Sequence, residues 1–460
     1  MKGKMAKKVL AVVLSAGMLL SLAGCGGKDT AESDTTATQP ESSEEAAKET
    51  ETETDTEYGM NKDASGKITI WTWGDYEIKG SSDFNQYYPN INVEFVQFDS
   101  ASYLEKVIST LASGGEMPDV VLFESGPRGQ FLAMDDTWED LSQAPYNADE
   151  NQLLEWSLDL MKSPDGELFC IQVDNCVGGI AYDRSLAKKY FGTDDPDEMS
   201  NKFQTIEDYV EAGKVVTAKG DGDMLFSGTG DASELVKGLM TSEPWVTDGK
   251  ITMDSNYKVI YEYLDQFVAT GAIGKYVEWT SAWQANMAAG KTVFYAAPTW
   301  FVPHTIKPND PDSEGRWGLM TPPGGGFSWG GTAYAIPSKN SDEQKELAWT
   351  WIKYFTMSEE GGRNFYKGQQ TPNLYKPMYE TDVYKGEADP FFGGQNVTAK
   401  FIEISQNPNT SSRPLTKYDA TVETVHTQNL IDMGEGKLTG DKAFEKLKSE
   451  LKSAYPELTE

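Results

Sequence analysis

Ile68-Thr69-Ile70-Trp71-Thr72-Trp73, closed by Gly74-Asp75, is rich in β-formers and alternates in the manner of a strand. The segments downstream of it decide the fold. The spacing predicts a helix over Ser82–Tyr88, stopped by Pro89-Asn90. A second strand is expected over Ile91–Val96. Leu104, Val107, Ile108 and Leu111 then fall on one face of a helix over Tyr103–Ala112, ended by Gly114-Gly115. Pro118-Asp119-Val120-Val121-Leu122-Phe123 is a short apolar run suited to a buried strand. This β-α-β-α-β order predicts an α/β body with a mostly parallel sheet flanked by helices.

The same grammar recurs downstream. Strands are expected over Ile171–Tyr182, Val293–Ala297, Gly318–Met320 and Thr332–Pro337. Helices are expected over Thr205–Thr217, Tyr257–Thr270, Glu343–Phe355 and Asp441–Tyr455. Thr205, with Asp208 three residues on, has the form of a helix cap. About 395 residues of such sequence fit two α/β lobes better than one.

The 460-residue chain carries 72 Asp+Glu against 40 Lys+Arg, a formal charge of -32. That charge opposes nucleic-acid phosphates and anionic membrane surfaces as partners. Three Cys cannot supply a four-thiolate zinc site, and the two His, His304 and His426, lack ligand spacing. No metal or other cofactor is expected. Cys170 and Cys176 are close enough in sequence to pair, but two buried free thiols fit better, because short loops strain a disulfide.

Residues 1–24 begin with a basic segment holding Lys2, Lys4, Lys7 and Lys8, followed by an apolar run from Val9 to Leu22. This is the pattern of an export signal, too short for a comfortable membrane span. Leu22-Ala23-Gly24-Cys25 resembles a bacterial lipobox, which makes Cys25 the lipidated first residue of the mature chain and the tether to the membrane. Residues 25–65 form an acidic spacer, with eleven acids and two lysines between Lys28 and Glu57, expected to be disordered.

Several segments, in order along the body, resemble the sugar-binding, maltose-binding-protein-like family of extracellular solute-binding proteins of ABC importers. They are Ile68–Asp75, Gly114–Val120, Asp174–Leu186, Asn286–Phe294, Gly330–Ile336 with Ser338-Lys339-Asn340 and the Trp349–Phe355 helix, and Gly361–Pro372. Asp183 stands where that pattern usually has Asn. The lipobox and spacer resemble the Gram-positive lipoprotein form. The resemblance implies a two-lobe periplasmic-binding-protein-like (type II) fold with three crossovers. Residues 66–178 plus 333–385 would form the N-terminal lobe, and 179–332 plus 386–460 the C-terminal lobe. A carbohydrate would sit between them and pass to permease subunits. The protein would be a non-catalytic monomer on the extracellular face of the cell membrane. Gly178-Gly179 and Gly324–Gly326 are read as points where the chain can bend.

Sugars present apolar C–H faces rimmed by hydroxyls, so their sites combine flat aromatic rings with fixed hydrogen-bonding groups. The candidates lie at strand ends and crossovers, where α/β ligands bind. Trp73 and Asp75 follow the first strand, with core packing and helix capping as the alternatives. Glu124 follows the third strand. Asp174 and Asn175 stand at the first crossover. Trp300 follows the Val293–Ala297 strand, and Trp329 sits among glycines. By resemblance Tyr418 is a further stacking position. Trp279 and Trp283, four apart, read instead as one helical face against the core. Two rival functions remain open. An exported glycoside hydrolase would need a carboxylate pair, which so acidic a chain always supplies. A polyamine-binding receptor would also suit acids and aromatics.

Overall fold

A computed structural model describes residues 60–459 apart from Thr241. The export signal, Cys25 and most of the spacer lie outside the described residues. The sequence puts the end of the spacer at residue 65, but Met60 and Ala64 already pack against a hydrophobic core, and the Ala64 amide donates to the Asn61 carbonyl at 3.2 Å.

Strand β1 (Gly66–Thr72) buries Ile68 and Ile70 and pairs in parallel with β2 (Ile91–Gln97). The single helix expected over 82–88 is two short ones, Tyr76–Gly80 and Phe84–Tyr87. The helix Ser100–Ser113 ends on Gly114 at φ 64°, a conformation that favours glycine. Asp119 then ties the next strand to β1: its carboxylate accepts the Thr69 N–H at 2.7 Å, and its own N–H donates to the Thr69 carbonyl at 2.8 Å. Strand β3 (Val121–Glu124) comes next, with Val121, Leu122 and Phe123 fully buried.

The run expected over 171–182 is broken into β4 (Ile171–Gln172) and β5 (Val177–Asp183), because the chain changes lobes between them. One core draws on Ile68 through Val173 and Ala333 through Leu374. Two others draw on residues 177–327 and on chain beyond 392. The second sheet contains β5, β6 (Met224–Phe226), β9 (Thr292–Pro298), β10 (Trp317–Met320) and β11 (Phe327–Ser328), while β7 (Val246–Thr247) and β8 (Lys250–Ile251) form a separate hairpin. Strand β12 (Thr332–Ala335) returns to the first lobe between β3 and β4.

The expectation of mostly parallel sheets is corrected. β12 runs antiparallel to β3 and β4, and β5 runs antiparallel to β9, β10 and β11. The cause is the crossovers. β3 and β9 end at the interlobe boundary, where Glu124 faces Thr332 and Pro298 faces Gly178 in register. β12 and β5 start at that boundary, having just come from the other lobe, so they point away from it.

Thr205 and Asp208 form the expected reciprocal cap of the helix Ile206–Lys219. Gly178 is not a bend: a Cβ there would lie 2.4 Å from the Phe327 ring, so it is a close-packing position inside β5. Gly324 and Gly325 do take positive φ, 73° and 133°. Cys170 and Cys176 are free and fully buried, and burial pushes the Cys170 thiol up to about 12. No helix among the described residues is long and apolar enough to cross a membrane.

Candidate functional site

The end of β3 opens directly into the helix Ser125–Leu132, which places Glu124 and Arg128 at the boundary between lobes. A cavity of about 260 Å³ lies there. Glu124, Arg128 and Leu160 line it from the first lobe; Glu234, Lys237, Trp329, Arg413 and Glu423 line it from the second. The lobes meet beside it. A Cβ on Gly129 would lie 2.2 Å from the Thr416 carbonyl oxygen, so only glycine allows this approach.

Arg128 is fully buried and acts as a brace. Its guanidinium donates to Gln172 Oε1 at 2.6 Å, to the Gly331 carbonyl at 2.5 Å, and to the Leu160 and Phe123 carbonyls at 3.3 Å. It thereby fixes the crossover before β12 to the cavity wall. Crowding by the protein pushes the Glu124 carboxyl up, and the nearby Arg128 charge opposes this. On the opposite wall Lys237 bridges Glu234 at 3.0 Å and Glu423 at 3.3 Å. Arg413 pairs with Asp419 at 2.9 Å and lies 3.4 Å above the Trp245 ring.

Trp329, on the wall of this cavity, has two other tryptophans packed beside it. Trp300 donates its indole N–H to the Trp329 carbonyl at 3.1 Å, and the two rings lie 5.6 Å apart. Trp279 lies 6.0 Å from Trp300 at an interplanar angle of 30°, and 6.2 Å from Trp329. Pairing Trp279 with Trp283 on one core-facing helix is corrected. Thr280 caps the helix Ser281–Ala289 by accepting the Trp283 N–H, so Trp279 precedes the helix. Trp283 is fully buried, whereas Trp279 is 51% exposed at φ 67°. A second cavity of about 230 Å³ adjoins the cluster, lined by Trp279, Trp329, Glu278, Glu234, Glu423 and His426 among others.

The residues singled out from sequence separate into two groups. Glu124, Trp300 and Trp329 stand at or beside the central cavity. Trp73 lines a neighbouring hollow of about 370 Å³ with Tyr103 and Phe131, and Glu124 lines both spaces. The others lie elsewhere. Asp75 is exposed; it makes no capping bond and pairs with Lys79 at 2.6 Å. Asp174 is only 4% exposed, and its carboxylate accepts the Thr332 N–H at 2.8 Å and the Tyr76 hydroxyl at 3.2 Å. Asn175 is fully buried, donating to Tyr379 Oη at 2.7 Å and accepting the Val177 N–H at 3.2 Å. These two residues knit the crossovers together: Asp174 bridges to Asn373, and the Asn175 amide donates to the Pro372 carbonyl at 2.8 Å. Tyr418 is a core residue, packed edge-on against Tyr455 at 4.8 Å.

Sequence reading passes over Arg128, Glu234, Lys237, Arg413 and Glu423, and assigns Trp279 to the core. Only Trp279 carries a usable signal, the Thr280-Ser281 start of the helix behind it.

The two-lobe frame is matched by comparison with known proteins. The family profile described as bacterial extracellular solute-binding protein matches residues 81–391, and the chain belongs to that family. It is a family of extracellular binding proteins. No curated protein sequence matches the chain. Among solved structures, an extracellular solute-binding protein of family 1 superposes with a TM-score of 0.77 at 21% identity, covering 84% of this chain and 99% of the other. The galacto-N-biose/lacto-N-biose I-binding protein of an ABC transporter from Bifidobacterium longum, in complex with lacto-N-biose, gives 0.68 at 17% identity over 86% and 99%. The sugar-binding protein MalE of Xanthomonas citri gives 0.68 at 16% identity over 84% and 97%.

Proposed function

We propose that this chain is the receptor of an ABC importer, which captures a carbohydrate, and specifically an oligosaccharide, between its lobes and delivers it to the permease. The observation that carries this reading is the Trp279–Trp300–Trp329 cluster beside carboxylates at the interlobe cavity. Flat rings receive the C–H faces of sugar units, and fixed carboxylates accept their hydroxyl protons. Trp279, Trp300 and Trp329 are the platforms. Glu124, Glu234 and Glu423 are the acceptors, and Arg128 holds the first-lobe wall in place. The sugar-binding neighbours support the same assignment. Ligand contacts on both walls would favour the closed arrangement over an open one.

In this reading residues 66–178 plus 333–385 and residues 179–332 plus 386–460 are the two lobes, with the bounds moved so that Val177 and Gly178 go with β5 and Thr332 with β12. Lipidated Cys25 tethers a monomeric receptor to the outer face of the membrane. A thermal-shift panel of mono- and oligosaccharides tests the function, because a ligand bound only by the native state raises its midpoint. A sugar that raises the midpoint and is recovered unaltered is the expected result. Cleavage of that sugar would favour a hydrolase, and no response to any sugar would overturn the reading.

A further inference from the structure

The second cavity contains a corner whose charge is incomplete. Glu278 lines it, and its Oε1 is shielded from solvent with no hydrogen-bond partner. Its other oxygen lies against Gly230, at 2.6 Å from where a Cβ would stand. Behind it is Asp231, 2% exposed, whose two oxygens accept the Trp283 indole N–H at 3.1 and 3.2 Å and one of which also accepts the Ser227 hydroxyl. Among the described residues neither carboxyl belongs to an ion pair. Lys237 bridges Glu234 and Glu423, and Arg413 faces Asp419. Burial pushes both carboxyls up, aided at Asp231 by the Glu234 charge and at Glu278 by the charges of Asp231 and Glu234. The half-exposed ring of Trp279 and the exposed Lys275 also line the cavity.

A neutral sugar would leave this corner as it is. A buried carboxylate without a counter-charge is costly, and a cation entering between Glu278 and an indole face gains from both. Among the described residues no acidic group is arranged to hold a metal ion, which points to an organic cation. The near-parallel Trp279 and Trp300 rings offer a surface suited to a sugar ring rather than to a bare alkyl chain.

We propose that the captured solute bears a protonated amine, seated between the Glu278 carboxyl and the face of Trp279. It rests on the carbohydrate reading only in taking the amine to be part of a sugar unit. A free polyamine presents the same ammonium group, and the experiment separates the two sources.

Isothermal titration of the full chain compares a β-1,4-linked glucosamine disaccharide, its N-acetylated form, cellobiose and spermidine. The expected result is at least tenfold tighter binding of the glucosamine disaccharide than of the two neutral sugars. Glu278→Gln should erase that preference and leave neutral-sugar affinity within about twofold. If that variant does not fold, the wild-type preference must still shrink as sodium chloride is raised, as for any charge-based contact. Neutral sugars binding as tightly as the amine would overturn the proposal and leave the carbohydrate reading standing. Spermidine binding without any sugar would keep the amine site and overturn the carbohydrate reading. Absence of binding by every amine probe would overturn the proposal.

Discussion

Trp279→Gly should separate ligand binding from stability. In the wild type the side chain is 51% exposed and the backbone is at φ 67°. A non-glycine residue in this left-handed region costs about 1–2 kcal/mol, which glycine relieves. Against this stands the lost contact with Trp283, Trp300 and Trp329, about 0.5–1.5 kcal/mol for each of the three ring pairs and so about 1.5–4.5 kcal/mol together. The ligand-free protein should therefore lose no more than about 3 kcal/mol of stability, because the relieved backbone offsets part of the lost ring contact. Binding should respond differently. A tryptophan buries about 150–250 Å², so the open half of this ring offers about 75–125 Å² to a ligand. At about 25 cal/mol per Å², full coverage is worth about 2–3 kcal/mol, and half coverage about 1–1.5 kcal/mol. Affinity should thus fall about tenfold. Urea unfolding gives the first quantity, and calorimetric titration with a sugar found by the thermal-shift panel gives the second. Destabilisation of about 5 kcal/mol or more would mean that Trp279 is a core residue. An unchanged Kd would remove it from the site.

Two further substitutions probe the interior. Asp174→Ala leaves the Thr332 N–H and the Tyr76 hydroxyl without their acceptor, so stability should drop by about 2–4 kcal/mol in urea unfolding. Weakened sugar binding at unchanged stability would instead make Asp174 a ligand contact. Glu77 is 2% exposed, accepts the Thr72 and Tyr334 hydroxyls, and is pushed up by burial to about 7. The folded state holds that proton where the unfolded chain has released it. Its contribution to stability is therefore full below about pH 4.5 and declines as pH rises to about 7, by about 3 kcal/mol in all. Glu77→Gln should remove about one proton's slope from the pH dependence of unfolding free energy over that window, and identical slopes would refute the assignment.

The strands are legible because burial on both faces leaves short apolar runs such as Val120–Phe123, and helices such as Ile206–Lys219 announce themselves by caps. Strand direction is not legible. Nothing local in Thr332–Ala335 says that it arrives from the other lobe, and that arrival is what makes it antiparallel. The site divides along similar lines. Glu124, Trp300 and Trp329 can be anticipated because each follows a strand or sits in a crossover. Asp174 and Asn175 occupy a crossover too, yet their side chains turn inward to bond other crossover segments, and sequence position does not distinguish the two orientations. The Glu234–Lys237–Glu423 bridge joins helices nearly two hundred residues apart and leaves no local pattern.

The contact between Gly129 and the Thr416 carbonyl makes one meeting point of the lobes main chain on both sides. No rotamer can soften it and no smaller residue can replace it. The spacing of the lobes at that point is therefore set by backbone, and the room beside it by the side chains that line the cavity.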